Sequence, residues 1–116
     1  NSIGKSIFNS KILVLGASYK KNINDVRESP SLKILSLLHE KKAKLTYSDP
    51  FVPSLLIAGK VMKNIKITKK TLSAQDLIII VTDHDQFDFN LIKNNSNLIL
   101  DTRGVYKKLT KKILRA

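Results

Sequence analysis

Apolar residues in this chain come in short, nearly unbroken runs, with segments of helical periodicity between them. Lys11-Ile12-Leu13-Val14-Leu15-Gly16 is the first run, aliphatic and β-branched and stopped by glycine. Its near-continuous apolarity predicts a strand covered on both faces, as in a parallel sheet. Residues 17–27 turn polar and predict a loop. Ser29-Pro30 then marks a helix start. Serine is a good N-cap, and the proline that follows loses nothing by lacking an N–H in the first turn. Leu32, Ile34, Leu35 and Leu38 lay an apolar stripe along that helix, which is expected to run to about Lys42. Lys44-Leu45-Thr46-Tyr47-Ser48 predicts a second strand, stopped by Asp49-Pro50. Residues 51–59 read as a loop or short helix, 65–68 as a short edge strand, and 71–75 as one helical turn. Asp76-Leu77-Ile78-Ile79-Ile80-Val81-Thr82 is the strongest strand signal in the chain. A short helix is expected over 88–93 and a last strand at Asn97-Leu98-Ile99-Leu100-Asp101. Strands alternating with helices give an α/β class, with about five mainly parallel strands. Residues 1–10 read as a polar, partly helical tail of an interdomain linker, and 11–116 as one domain.

Composition narrows this picture without redirecting it. Hydrophobic residues at 42% exclude a disordered chain. The absence of cysteine removes disulfides, cysteine zinc sites and a thiol nucleophile. No apolar run approaches the ~20 residues that span a bilayer. The net charge of +12 invites polyanions. Its layout is that of a solvated lysine face: Lys60, Lys63, Lys66, Lys69 and Lys70, then Lys107, Lys108, Lys111, Lys112 and Arg115, with almost no aromatic residue among them. RNA readers interleave such charge with stacking rings, and DNA readers concentrate it on a recognition helix, so nucleic acid is not the expected partner.

In a Rossmann-like three-layer sandwich with helices on both faces, ligands bind beyond the carboxyl ends of the strands. Three segments end there: Gly16-Ala17-Ser18-Tyr19-Lys20-Lys21, Thr82-Asp83-His84-Asp85 and Asp101-Thr102-Arg103-Gly104. The three glycines of a dinucleotide cradle are missing, because Gly59 is the next glycine after Gly16. A phosphate here has to be met by cationic side chains, and Lys20 and Arg103 are placed for that. Arg27 stands at a helix N-terminus, where a cation opposes the dipole, so it needs a partner: Asp25, Glu28 or an anionic ligand. Arg103 has a similar choice between Asp101 and a ligand. Asp83-His84-Asp85 suits a turn better than a metal site, since three consecutive residues rarely converge on one ion. Lys21 and His39 are expected in solvent, and Tyr47 and Tyr106 in packing.

Taken together, Lys11 through Lys21, Asp25-Val26-Arg27-Glu28-Ser29-Pro30, Tyr47-Ser48-Asp49-Pro50, Thr82-Asp83-His84 with Phe87-Asp88, and Leu100-Asp101-Thr102-Arg103 resemble one family. It is the UDP-glucose/GDP-mannose 6-dehydrogenases, in their C-terminal UDP-sugar-binding domain. The likeness runs from about Ser6 to Lys107, with Asn22-Ile23-Asn24 standing where the family often has a more acidic stretch. The resemblance implies an NAD-dependent oxidoreductase that converts C6 of a nucleotide sugar to a carboxylate for polysaccharide biosynthesis. It implies that Tyr19, Lys20 and Arg103 bind the UDP-sugar and that Arg27 reaches NAD. The catalytic cysteine and most NAD contacts would lie elsewhere in the same polypeptide. No catalytic or metal-ligating residue is therefore assigned here. This chain is expected to be a domain of a longer, cytoplasmic, homo-oligomeric enzyme, free of the membrane and inactive by itself. The competing expectation is a stand-alone basic α/β module that binds nucleic acid or phosphorylated partners without catalysis.

Overall fold

The computed structural model describes residues 7–116. Its elements run β1 (Lys11–Leu15), α1 (Pro30–Glu40), β2 (Lys44–Ser48), β3 (Ser54–Ile57), β4 (Lys60–Lys63), α2 (Lys69–Ser73), β5 (Leu77–Ile80), α3 (Phe89–Asn95), β6 (Ile99–Asp101) and β7 (Ile113–Arg115). Five strands form a parallel sheet in the order β2-β1-β5-β6-β7, and β3 pairs with β4 as a separate antiparallel hairpin. The chain moves from β1 to β2 on one side, then returns to β5 on the other. That reversal makes the gap between β1 and β5 the topological switch point, where a crevice opens at the carboxyl ends.

Alternation within the apolar runs shares the strands between two cores. Ile12, Val14, Leu77 and Ile79 face Leu35 and Leu38 of α1, with Leu55 and Ile57 of the hairpin on the same side. Leu13, Leu15, Ile78 and Ile80 face Leu72 of α2 and Ile92 of α3. The expected three layers, with helices on both faces, are present. Burial of a side chain such as Leu35, with no exposed surface, stabilises the fold by about 1.5–3 kcal/mol.

The helix start is as the sequence predicts. Ser29 Oγ accepts from the Ser31 N–H at 3.2 Å, and Pro30 opens the first turn. Such a cap contributes about 1 kcal/mol. The helix ends two residues early, because Lys42 turns left-handed at φ 63°.

Three expectations are corrected. Residues 51–59 hold half a hairpin instead of a loop or short helix. Leu55 and Ile57 are buried while Ser54 and Leu56 are exposed, and Ala58-Gly59 turns the chain with φ of 52° and 77°, the left-handed pair that suits a tight hairpin. Residues 65–68 form no strand. Thr68 instead caps α2 in a reciprocal bond with Thr71, whose hydroxyl also reaches the Lys66 carbonyl at 3.0 Å, and this capping draws the chain out of any ladder. The fifth sheet strand is β7, three residues long, inside a lysine-rich tail that reads as solvated face. Of the lead-in, residues 1–6 lie outside the described residues, and 7–10 make a turn closed by Ser10 N–H to the Ile7 carbonyl at 3.0 Å. Among the described residues, no helix is long and apolar enough to cross a membrane.

Candidate functional site

Leu15 lies opposite Ser48 on one side and Ile80 on the other, so β1, β2 and β5 end level. Gly16, Asp49 and Val81 therefore emerge side by side. Gly16 has φ +93°, and a Cβ there would lie 2.4–2.7 Å from Thr82 atoms, two of them backbone. This glycine serves the close approach of two strand ends. It is not a phosphate cradle.

The crevice floor is built on a buried carboxylate. Asp49 has no exposed surface. Its Oδ2 accepts from the Ala17 and Ser18 N–H groups at 2.7 and 3.1 Å, and its Oδ1 from the Phe51 N–H at 2.8 Å. His84 completes the set, with Nε2 at 2.7 Å from Asp49 Oδ2 and 3.1 Å from Ser18 Oγ. The Asn22 N–H donates to His84 Nδ1 at 2.8 Å. That bond settles the tautomer: Nδ1 accepts, so Nε2 carries the proton and donates to Asp49. Phe51 and Phe87 flank the imidazole at centroid distances of 5.0 and 5.5 Å. Asn64 brackets the Asp49 peptide from outside, donating to its carbonyl at 2.7 Å and accepting from its N–H at 2.9 Å. A buried carboxylate without a countercharge is held by converging N–H donors, and here four converge. Asp83-His84-Asp85 does enter a turn, closed by the Phe87 N–H on the His84 carbonyl at 3.2 Å, and its histidine side chain reaches beyond that turn to the loops after β1 and β2. Among the described residues no cluster of three ligating side chains could hold a metal ion.

The sequence-predicted residues stand around this floor. Tyr19 and Arg27, with Asp25 and Glu28, line one shallow cavity of about 430 Å³. Tyr19 is half exposed, and its N–H is tied to the Asp25 carbonyl at 2.6 Å. Arg27 forks onto Asp25, with Nε to Oδ1 at 3.1 Å and an Nη to Oδ2 at 2.9 Å. Those bonds, with the Arg27 N–H, hold the Asp25 carboxyl down to about 2 and raise the Arg27 guanidinium. The arginine meets the helix start through its own acid, and Glu28 beside it takes a left-handed φ of 57°. Lys20 is exposed. Its carbonyl accepts from Ser18 Oγ at 2.8 Å, and its ammonium has no partner among the described residues. Lys21 is half exposed and lies 3.7 Å from Asp85.

The Arg103 side chain does not pair with Asp101. The Asp101 carboxylate is fully buried and accepts the N–H groups of Arg103, Gly104 and Tyr106 at 2.9–3.0 Å. The Arg103 side chain crosses to β5, where Nε donates to the Val81 carbonyl at 2.6 Å. Val81 is in turn bonded to Leu15, and Thr82 Oγ1 donates to the Ser18 carbonyl at 2.9 Å. Arg103 therefore leans from the end of β6 toward the switch point, whose opposite side carries the Lys20 loop. Lys20 and Arg103 are absent from the cavity of Tyr19 and Arg27. Sequence reasoning missed Asp49 and His84. The rule that ligands gather at carboxyl ends applied to β2 as well, and an aspartate directly after a buried strand was the available signal.

Comparison with known proteins places the chain in a family. The family model described as UDP-glucose/GDP-mannose dehydrogenase family, UDP binding domain, matches residues 13–108. A UDP-glucose 6-dehydrogenase of Rhizobium meliloti is 30% identical over 113 residues, covering 90% of this chain and 25% of its own. A UDP-N-acetyl-D-mannosamine dehydrogenase of Methanococcus vannielii is 31% identical over 103 residues, covering 82% of this chain and 23% of its own. The chain thus spans about a quarter of the length of the curated relatives it matches. In fold it is similar to the UDP-D-ManNAc dehydrogenase of Pyrococcus horikoshii, with a TM-score of 0.71 at 24% identity over 95% of this chain and 25% of the other. The chain belongs to the UDP-glucose/GDP-mannose dehydrogenase family, as its UDP binding domain.

Proposed function

We propose that this domain binds the nucleotide diphosphate of a UDP-sugar, with Lys20 and Arg103 as the cations that meet it and Tyr19 beside them. The observation that carries the reading is the Arg103 bond to Val81. It ties the Arg103 side chain to the carboxyl end of β5, one of the two strands that flank the switch point. Arginine matches phosphate oxygens with a planar fork and lysine adds a mobile point charge. Gly16 itself is taken up by packing against Thr82, so the reading rests on these cationic side chains.

In the whole polypeptide, the bound nucleotide orients the sugar so that C6 is oxidised to a carboxylate by groups outside this chain. Binding energy from a remote group serves that purpose by positioning the reacting one. NAD supplies hydride acceptance when bound. The residues here fit a supporting contact only. There is no glycine cradle, and Arg27 can reach an anionic cofactor from the rim of the Tyr19 cavity once it leaves Asp25. The rest of the polypeptide, homo-oligomerisation and a cytoplasmic setting belong to the same reading. The 116-residue chain alone should not turn over UDP-sugars.

Calorimetric titration tests the proposal. The chain should take up UDP and UDP-glucose, and either Lys20→Met or Arg103→Met should weaken binding about tenfold or more, as for a lost hydrogen bond to a charged group. Duplex DNA at two salt concentrations is the control. No heat with UDP, together with a steep salt slope for DNA, would overturn the reading in favour of a polyanion-binding module.

A further inference from the structure

The buried imidazole has more connections than packing requires. His84 fills a site between two phenylalanine rings, whose packing by itself asks only for an apolar shape. Instead its two nitrogens bind the loops after β1 and β2 together. Nε2 reaches Asp49 after β2 and Ser18 after β1, while Nδ1 accepts the backbone N–H of Asn22. Lys20 lies midway between the two tied positions, 18 and 22. Ser18 Oγ also holds the Lys20 carbonyl, and Tyr19 is bonded to Asp25. An outer latch repeats the pattern. The Asn22 side chain and Asp85 exchange two bonds, of 2.8 Å through Nδ2 and 3.0 Å through Oδ1. Asn22 itself sits at φ 63°, a left-handed conformation that asparagine tolerates. The result is a five-residue arch pinned at both feet, with an exposed ammonium near its crown.

We propose that His84 is a positioning residue for the nucleotide diphosphate. It acts through its Nδ1 bond to Asn22, which sets the arch so that Lys20 stands ready before the ligand arrives. The inference rests on the reading of Lys20 given above. Its physical basis is preorganisation: a loop already held in its bound shape does not lose conformational freedom on binding, and affinity rises accordingly. The Asp49 bond has the separate task of keeping the imidazole in place and its tautomer fixed.

Two substitutions divide these tasks, because each shorter or longer amide overlays one ring nitrogen. His84→Gln places an amide nitrogen near Nε2 and keeps the Asp49 bond but abandons Asn22. His84→Asn places an amide oxygen near Nδ1 and keeps Asn22 but abandons Asp49. The positioning role expects His84→Gln to fold as the more stable of the two and yet to bind UDP about tenfold more weakly than wild type. His84→Asn should be the less stable and stay within about twofold of wild-type affinity. A purely structural histidine would make affinity follow stability, so any other ranking overturns the proposal. Nitrogen NMR on the unsubstituted chain gives an independent reading. Nδ1 should resonate as an unprotonated ring nitrogen, coupled through the hydrogen bond to the Asn22 amide, and a protonated Nδ1 would refute the clamp. A chain that takes up no UDP, or a Lys20→Met variant that binds it undiminished, removes the nucleotide reading and this proposal with it. Undiminished binding by His84→Gln removes the proposal alone.

Discussion

Asp49 and Asp101 are the same residue type in the same kind of place, and they do different things. Each follows or ends a strand at the carboxyl edge of the sheet, each is fully buried, and each accepts from backbone N–H groups. Asp101 closes its own turn, since its three donors come from residues 103, 104 and 106. Asp49 draws in Ala17, Ser18 and His84 from loops 31–35 positions away along the chain. One carboxylate shapes a loop, and the other assembles a crevice. Position at a strand end is thus only half of a functional signal. The other half is which neighbouring strands supply the donors.

Replacing each aspartate by alanine should separate the two roles. Asp49→Ala orphans the buried Ala17 and Ser18 N–H groups, frees the partly buried Phe51 N–H and leaves His84 Nε2–H with only the longer contact to Ser18 Oγ, at about 1–3 kcal/mol for each group left unpaired, a large share of the ~5–15 kcal/mol that holds a domain together. Denaturant unfolding should find it barely folded, and a loss no greater than that of Asp101→Ala would break the contrast. Asp101→Ala should cost about 1–3 kcal/mol, because Arg103 and Gly104 lie near enough to solvent for water to replace part of the turn. It should also weaken UDP binding, since the turn aims Arg103 across to β5.

A smaller effect appears at alkaline pH, on the strand that leads into Asp49. Burial, and after it the Asp49 carboxylate, pushes the Tyr47 phenol up to about 12 from an ordinary 10.0. The sign follows from linkage. The stability that Tyr47 contributes is fully present below pH 10 and is lost as the pH climbs through about 12, because the unfolded chain ionises first. Thermal unfolding across that window should decline less steeply in Tyr47→Phe, once the lost hydrogen bond to the Val52 carbonyl is allowed for at neutral pH. An identical slope in both proteins would remove Asp49 and its surroundings as the cause. Smallest of all is the Asp25–Arg27 fork at the surface, an exposed arginine on a partly buried aspartate whose carboxyl is held down to about 2. Its contribution is present at neutral pH and fades as acid titrates the carboxyl through that value, so Asp25→Asn should alter acid unfolding only slightly.

What was legible in the sequence is what local rules decide. β1, β2, β5 and β6 are runs whose apolar residues have no other use than a covered sheet, and Ser29-Pro30 starts a helix by chemistry confined to three residues. Carboxyl-end loops carrying Lys20, Arg27 and Arg103 follow from that order of elements, with the family resemblance supplying their roles. Illegible were the features whose energy comes from distant partners. β7 is three residues of a basic tail that become a strand only because the β6 edge is open to them. Residues 65–68 look like a strand and are claimed by a helix cap.

His84 is the sharpest case. Between two acids on a turn, its sequence context says surface, and only the level ending of β1, β2 and β5 places it, fully buried, against Asp49. Periodicity and capping are properties of neighbouring residues along the chain. Burial of a polar side chain is decided by whether folding brings it partners, and no local pattern contains that information.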